Sequence, residues 1–246
     1  MNNAVLAGKD ASQAVFPKEE LVPKGVWIRE SFQDILNWLA EQQYREQCYV
    51  VFIDGSGKID FGSAVDVLDC LSNGHELALG LRSDPTITQS KDRVTVETFE
   101  NYLVEQRFHV TLPDAQCGCW GVCGRAMAKL PLIALSYSIE LDLLIMGLSG
   151  GFSPRFVQVK LVPPQTGSPG ISDFNSSEQD LHKIQFLMYR LELGVEMLPT
   201  YIANFEKEKG LTLPSGYKKL LLEEAKPVPK ATTQKFSVYE PGKPTQ

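Results

Sequence analysis

The chain has 246 residues, 43% of them hydrophobic and 22% charged, with a formal net charge of −6. These are the proportions of an ordinary globular chain long enough to bury a sizeable core. The acidic balance excludes a broad nucleic-acid-binding surface, which needs clustered Lys and Arg against phosphates, and leaves room only for a small local basic patch.

Residues 1–23 read as a loose arm broken by Gly8, Pro17 and Pro23, with a short strand over 4–7. Lys9, Asp10, Lys18, Glu19 and Glu20 interrupt every apolar run there, which argues against a signal peptide. Ile28, Phe32, Ile35, Leu36 and Leu39 recur at helical spacing and predict an amphipathic helix over 26–43. Cys48-Tyr-Val-Val-Phe-Ile53 is a continuous apolar run ending in Asp54-Gly-Ser-Gly57, as expected of a strand buried on both faces. Ala64, Val67, Leu68 and Leu71 mark a helix closed by Asn73-Gly74, and 76–81 reads as the next strand.

Residues 82–95 read as a polar loop, 96–108 as a helix and 113–121 as a Gly-rich loop. Helical patterns return over 125–130 and 137–148. Glu140 and Asp142 lie inside the most apolar stretch and favour a buried helix over a membrane span. A strand over 155–162, wet on one side and near a sheet edge, precedes a Pro/Gly/Ser-rich loop and helices over 177–193, 199–209 and 217–224.

The expected organisation is an arm over 1–23, an α/β domain over 24–195, a helical extension over 196–225 and a disordered tail over 226–246. Alternating strands and helices predict a mostly parallel sheet flanked by helices. Ligands of such sheets sit beyond the carboxyl ends of the strands, which nominates the loops leaving at Asp54 and Arg82. Five scattered cysteines, Cys48, Cys70, Cys117, Cys119 and Cys123, do not make a disulfide framework. Cys117, Cys119 and Cys123 cluster without the paired spacing or neighbouring His of a zinc site. Without a span or leader, a cytoplasmic protein is expected, with peripheral membrane contact allowed.

The order of several short motifs resembles family 2 glycosyltransferases of the GT-A type, above all the branch that charges polyprenyl or dolichyl phosphate with glucose or mannose. Lys24-Gly25 resembles the segment preceding that family's crossover helix. Phe52-Ile-Asp54-Gly-Ser56 resembles its Asp-X-Asp metal-binding turn, and Leu79-Gly-Leu-Arg82 its Gly-X-Arg strand end. Asp114-Ala-Gln-Cys-Gly118 resembles its Asp-X-Gln-Cys-Gly acceptor-side segment, the most specific match, and Glu140-Leu-Asp-Leu-Leu followed by Phe156-Val-Gln-Val resembles its next helix and strand.

The resemblance implies a nucleotide-sugar donor, with Mg²⁺ or Mn²⁺ held by Asp54 and Ser56 to stabilise the leaving diphosphate. It further implies Lys24, Gly25 and Arg82 on the donor phosphates and Asp114 as the base or positioning group toward the acceptor, with Gln116, Gly118 and Trp120 in the acceptor-side loop. It begins only at Lys24, so the family's opening nucleotide-binding portion is expected to be missing. Ser56 stands where a second Asp is expected and supplies no charge.

The alternative is a catalytically inactive GT-A-derived scaffold or regulatory subunit in a homo-oligomer or hetero-complex; a sugar nucleotidyltransferase ranks last. Each candidate also has a plain structural reading: Asp54 in a turn, Arg82 as a paired arginine, Asp114 as a loop brace, Trp120 as an anchor.

Overall fold

Short apolar runs build the sheet, and the helices between them cover it. The computed structural model describes residues 3–7, 14–15, 34–35, 37, 48–54, 57–132, 138–163 and 178–224. Its strands are β1 (Asn3–Ala7), β2 (Ala14–Val15), β3 (Tyr49–Ile53), β4 (Leu77–Arg82), β5 (Cys119–Cys123) and β6 (Arg155–Val159). They form one mixed sheet in the order β2-β1-β3-β5-β4-β6. The helices are α1 (Gly62–Ser72), α2 (Lys91–Phe108), α3 (Gly124–Met127), α4 (Ile139–Ser149), α5 (Glu178–Leu191), α6 (Leu198–Lys209) and α7 (Ser215–Lys219).

The fold is α/β, with the sheet flanked by helices, but the expectation of a mostly parallel sheet is corrected. Among the described residues only β4 and β6 pair in parallel; the pairs β1–β2, β1–β3, β3–β5 and β4–β5 are antiparallel. The cause is β5, the segment Cys-Trp-Gly-Val-Cys, whose first three residues fall in the stretch expected to be a Gly-rich loop. It runs between β3 and β4 in the opposite direction and is buried along its whole length. The Gly121 that suggested a turn marks close approach instead. A Cβ there would lie 2.8 Å from Leu71 Cδ1 and 2.9 Å from Val67 Cγ1, so α1 packs directly on the bare backbone.

Alternation along the strands splits the core into two layers. Val50, Phe52, Leu77, Leu79, Trp120 and Val122 face the larger cluster with α2, α4 and the C-terminal helices. Val51, Ile53, Ala78 and Cys119 face α1 through Ala64, Val67 and Leu71. α1 closes at Asn73 with Gly74 at φ 97°, the left-handed position a glycine takes without penalty.

α2 begins at Lys91, earlier than the expected 96, because the Ser90 side chain accepts a hydrogen bond from the Arg93 amide at 3.2 Å and caps the helix. The strand over 155–162 is β6, at the end of the sheet as anticipated. Glu140 and Asp142 are buried in α4, where Asp142 lies 2.6 Å from the Arg190 guanidinium. Among the described residues no helix is long and apolar enough to cross a membrane.

Leu198, Ile202 and Phe205 of α6 and Tyr217 of α7 belong to the larger cluster, and Phe205 meets Phe99 edge-on at 5.1 Å. Of the helix expected over 26–43, Asp34, Ile35 and Asn37 are described; all three are helical, and Ile35 is buried in the same cluster. Lys24, Gly25, Ser56, the remainder of that helix and the tail over 226–246 lie outside the described residues.

Candidate functional site

β3 and β4 end at the sheet edge where the antiparallel β5 begins, so three segments distant in sequence meet there. The register pairs Ile53 with Cys119, which sets the next residues, Asp54 and Gly118, against each other. The Asp54 amide donates to the Gly118 carbonyl at 2.6 Å. A Cβ on Gly118 would lie 2.6 Å from Asp54 Cβ, so this approach requires glycine. Asp54 itself is half-buried at the strand terminus. The structure thus brings together two residues that the sequence placed in separate motifs.

Arg82, the last residue of β4, and Asp114, in the loop before β5, were expected to act separately, one on a phosphate and one on an acceptor. They are instead each other's partners. Arg82 Nε donates to Asp114 Oδ2 at 2.7 Å and Nη2 to Oδ1 at 2.8 Å, a bidentate fork. The Arg82 backbone amide adds a bond to Oδ2 at 3.0 Å and the Gln116 amide one to Oδ1 at 3.2 Å.

A carboxylate offers about four lone-pair sites, and four donors occupy those of Asp114, which is 5% exposed. These four bonds make Asp114 a brace for its loop. Arg82 is likewise drawn inward, because Nη2 also reaches Glu97 Oε2 at 2.8 Å.

Glu97 is the hub that the sequence reading missed. Its other oxygen accepts from Arg93 Nε and Gln89 Nε2, both at 3.0 Å, so the segment after β4 is tied to the same helix face. Burial by itself would raise the Glu97 pKa, but the positive charges of Arg82, Lys183 and Arg93 together outweigh it and hold the carboxyl below its ordinary value. Burial would lower the Arg82 pKa; the Asp114 hydrogen bond and the Glu97 and Asp114 charges overcome it and raise the value. The available signal was the i,i+4 spacing of Arg93 and Glu97, a pair that helices favour on any face.

The lowered Glu97 pKa gives a signed prediction. Its stabilisation is fully present above the unfolded glutamate value of about 4.3 and is lost as pH falls through the lower folded value. Urea unfolding midpoints should therefore hold near neutrality and drop below about pH 4.3, and Glu97→Gln should flatten the drop. Glu206, lowered by a hydrogen bond from Lys218, contributes to the same slope.

Gln116, expected in an acceptor-side loop, is half-buried and points into α2, where its Nε2 donates to Glu100 Oε2 at 2.8 Å. Trp120, expected in the same loop, is corrected to a core residue. It is 1% exposed in β5 and stacks on Phe52 at 4.2 Å with 24° between the rings, so a sugar cannot reach its faces.

Among the described residues no cluster of three or more His, Cys, Asp or Glu stands ready to hold a metal ion. All five cysteines are free thiols. Burial pushes the Cys117 thiol up and the Cys119 thiol to about 12. Asp54, an oxygen donor beside a turn, has the chemistry of a Mg²⁺ or Mn²⁺ ligand, since such ions combine one or two carboxylates with substrate phosphates.

No family model matches the chain, and no curated protein matches it. Among solved structures it is similar to glucosyl-3-phosphoglycerate synthase from Mycobacterium tuberculosis. The complex with uridine diphosphate shows 15% identity and a TM-score of 0.44, covering 73% of this chain and 58% of that one. The complex with Mn²⁺, uridine-diphosphate-glucose and phosphoglyceric acid shows 16% identity and a TM-score of 0.42, covering 73% and 57%. This chain thus spans less than two-thirds of the length of those structures.

Proposed function

We propose that the sheet edge around Asp54 is a nucleotide-sugar site of the GT-A glycosyltransferase kind. The observation that carries this reading is the 2.6 Å bond from the Asp54 amide to the Gly118 carbonyl. It joins the segment resembling the family's donor-metal turn to the one resembling its acceptor side. Asp54, with Ser56 beside it in sequence, would hold Mg²⁺ or Mn²⁺, which when bound offsets the charge on a leaving diphosphate. Lys24 and Gly25 belong to the donor side on the strength of the motif order alone.

The saturated Asp114 bears on the acceptor. An acceptor hydroxyl needs a base, whereas a phosphate arrives already ionised and needs only to be positioned. Asp114, with its lone pairs taken by Arg82 and Gln116, suits the second case. A polyprenyl phosphate is the acceptor we favour, with peripheral membrane contact as its corollary.

The test is calorimetric titration of UDP-glucose and GDP-mannose with and without Mn²⁺. We expect metal-dependent binding that Asp54→Ala weakens at least tenfold, about 1.4 kcal/mol. If neither nucleotide-sugar binds, the reading is overturned in favour of a non-catalytic scaffold acting through a homo-oligomer or hetero-complex.

A further inference from the structure

Behind the Arg82–Asp114 pair lies a second buried polar cluster. Lys183, from α5, is 2% exposed, and Glu100, from α2, is fully buried. Their charged atoms are 2.6 Å apart. The side chain of Gln116 closes the triangle: its Oε1 accepts from Lys183 Nζ and its Nε2 donates to Glu100 Oε2 at 2.8 Å. The remaining oxygen of Glu100 accepts from the Tyr217 hydroxyl of α7 at 3.0 Å. An amide side chain read by a donor on its oxygen and an acceptor on its nitrogen is fixed in orientation as well as in place.

We propose that Lys183 is a positioning residue for the loop over 113–118: through Gln116 it sets the loop that presents Asp114 to Arg82 and Gly118 to Asp54. A buried ammonium is a costly means of filling space, and a well-packed apolar side chain would serve stability as well or better. What an apolar side chain cannot do is donate to Gln116 Oε1. The Gln116 backbone N–H donates to Asp114 Oδ1, and two residues onward the Gly118 carbonyl accepts from the Asp54 backbone N–H. The path from Lys183 to Asp54 is therefore short and made of directional bonds. Any consequence for sugar transfer rests on the reading of the Asp54 edge given above; the positioning of the loop does not.

The test is amide hydrogen exchange under native conditions on Lys183→Met and on the double variant Lys183→Met/Glu100→Gln. The double variant removes the buried charge from both partners, so it does not leave Glu100 uncompensated as the single variant does. We expect the Gln116 and Asp54 amides to exchange at least tenfold faster in the double variant, with the amides in the centres of β3 and β5 slowed or unchanged relative to their global opening rate. Recovery of wild-type protection at Gln116 and Asp54 in the double variant would show that Lys183 only neutralises Glu100, and the proposal would fall. Titrating the wild-type chain with Mn²⁺ and, in turn, UDP-glucose and GDP-mannose separates the two ideas. Failure of that binding sinks the nucleotide-sugar reading, while localised loosening of the loop still supports the role of Lys183.

Discussion

Arg82→Met is expected to destabilise the fold by about 3–5 kcal/mol, the usual cost of removing one partner from a buried ion pair. The side chains of Arg82 and Asp114 are 8% and 6% exposed and that of Glu97 is 8%, so two carboxylates would be left in the interior without their shared cation. Coulomb attraction is not the whole of it. The guanidinium donates in three directions, to both oxygens of Asp114 and to Glu97, and a single ammonium cannot reproduce that planar fork. Arg82→Lys should therefore recover only part of the loss. Urea unfolding at pH 7 measures both variants; a loss below about 1 kcal/mol for Arg82→Met would put the pair in the class of solvated surface bridges. The Arg93 and Lys183 charges near Glu97 soften the effect in both variants.

Trp120→Ala is expected to cost about 3–5 kcal/mol, as for other large-to-small changes in a packed core. The ring lies on β5 between β3 and β4, is 1% exposed and stacks on Phe52. Truncation leaves a cavity in the middle of the sheet, and neighbouring strands are held by their ladders from collapsing into it. Trp120→Phe keeps an aromatic partner for Phe52 and should lose much less. Thermal or urea unfolding reads the difference. A tryptophan whose role was to stack on a sugar would show the reverse pattern, with an unmoved unfolding midpoint and weakened ligand binding, and that result would overturn the assignment to the core.

Most elements were legible in the chain because their signals are local. The run Tyr49–Ile53, the helical spacing of Ala64, Val67 and Leu71, the Gly74 stop and the amphipathic segments that became α5 and α6 each declare themselves within about a dozen residues. β5 did not. Cys-Trp-Gly-Val-Cys has neither alternation nor length, and its glycine reads as a turn until α1 is seen lying on it. Strand direction was hidden for a related reason. A strand buried on both faces shows the same apolar run whichever way its neighbour points, so a parallel arrangement and a central antiparallel one look alike in sequence.

The candidate residues divide in the same way. Asp54, Arg82, Asp114, Gln116 and Gly118 all stood out from residue type and motif order, and all five gather where β3 and β4 end and β5 begins. Their bonding did not stand out. Arg82 and Asp114 are 32 positions apart, and the choice between a phosphate clamp and a structural pair depends on whether a carboxylate comes within hydrogen-bond reach. Glu97, Glu100 and Lys183 belong to none of the motifs; only the packing of α2 against α5 turns them inward and makes their charges decisive.

By itself, then, the sequence determined the α/β class, the position of most helices and strands, and the residues that meet at one edge of the sheet, because these follow from short-range periodicity and turn chemistry. The tertiary structure alone decided the direction of β5, the burial of Trp120 and the pairing of Asp114 with Arg82. Each of those depends on which groups from distant parts of the chain come close enough to exclude water, and no local pattern carries that distance.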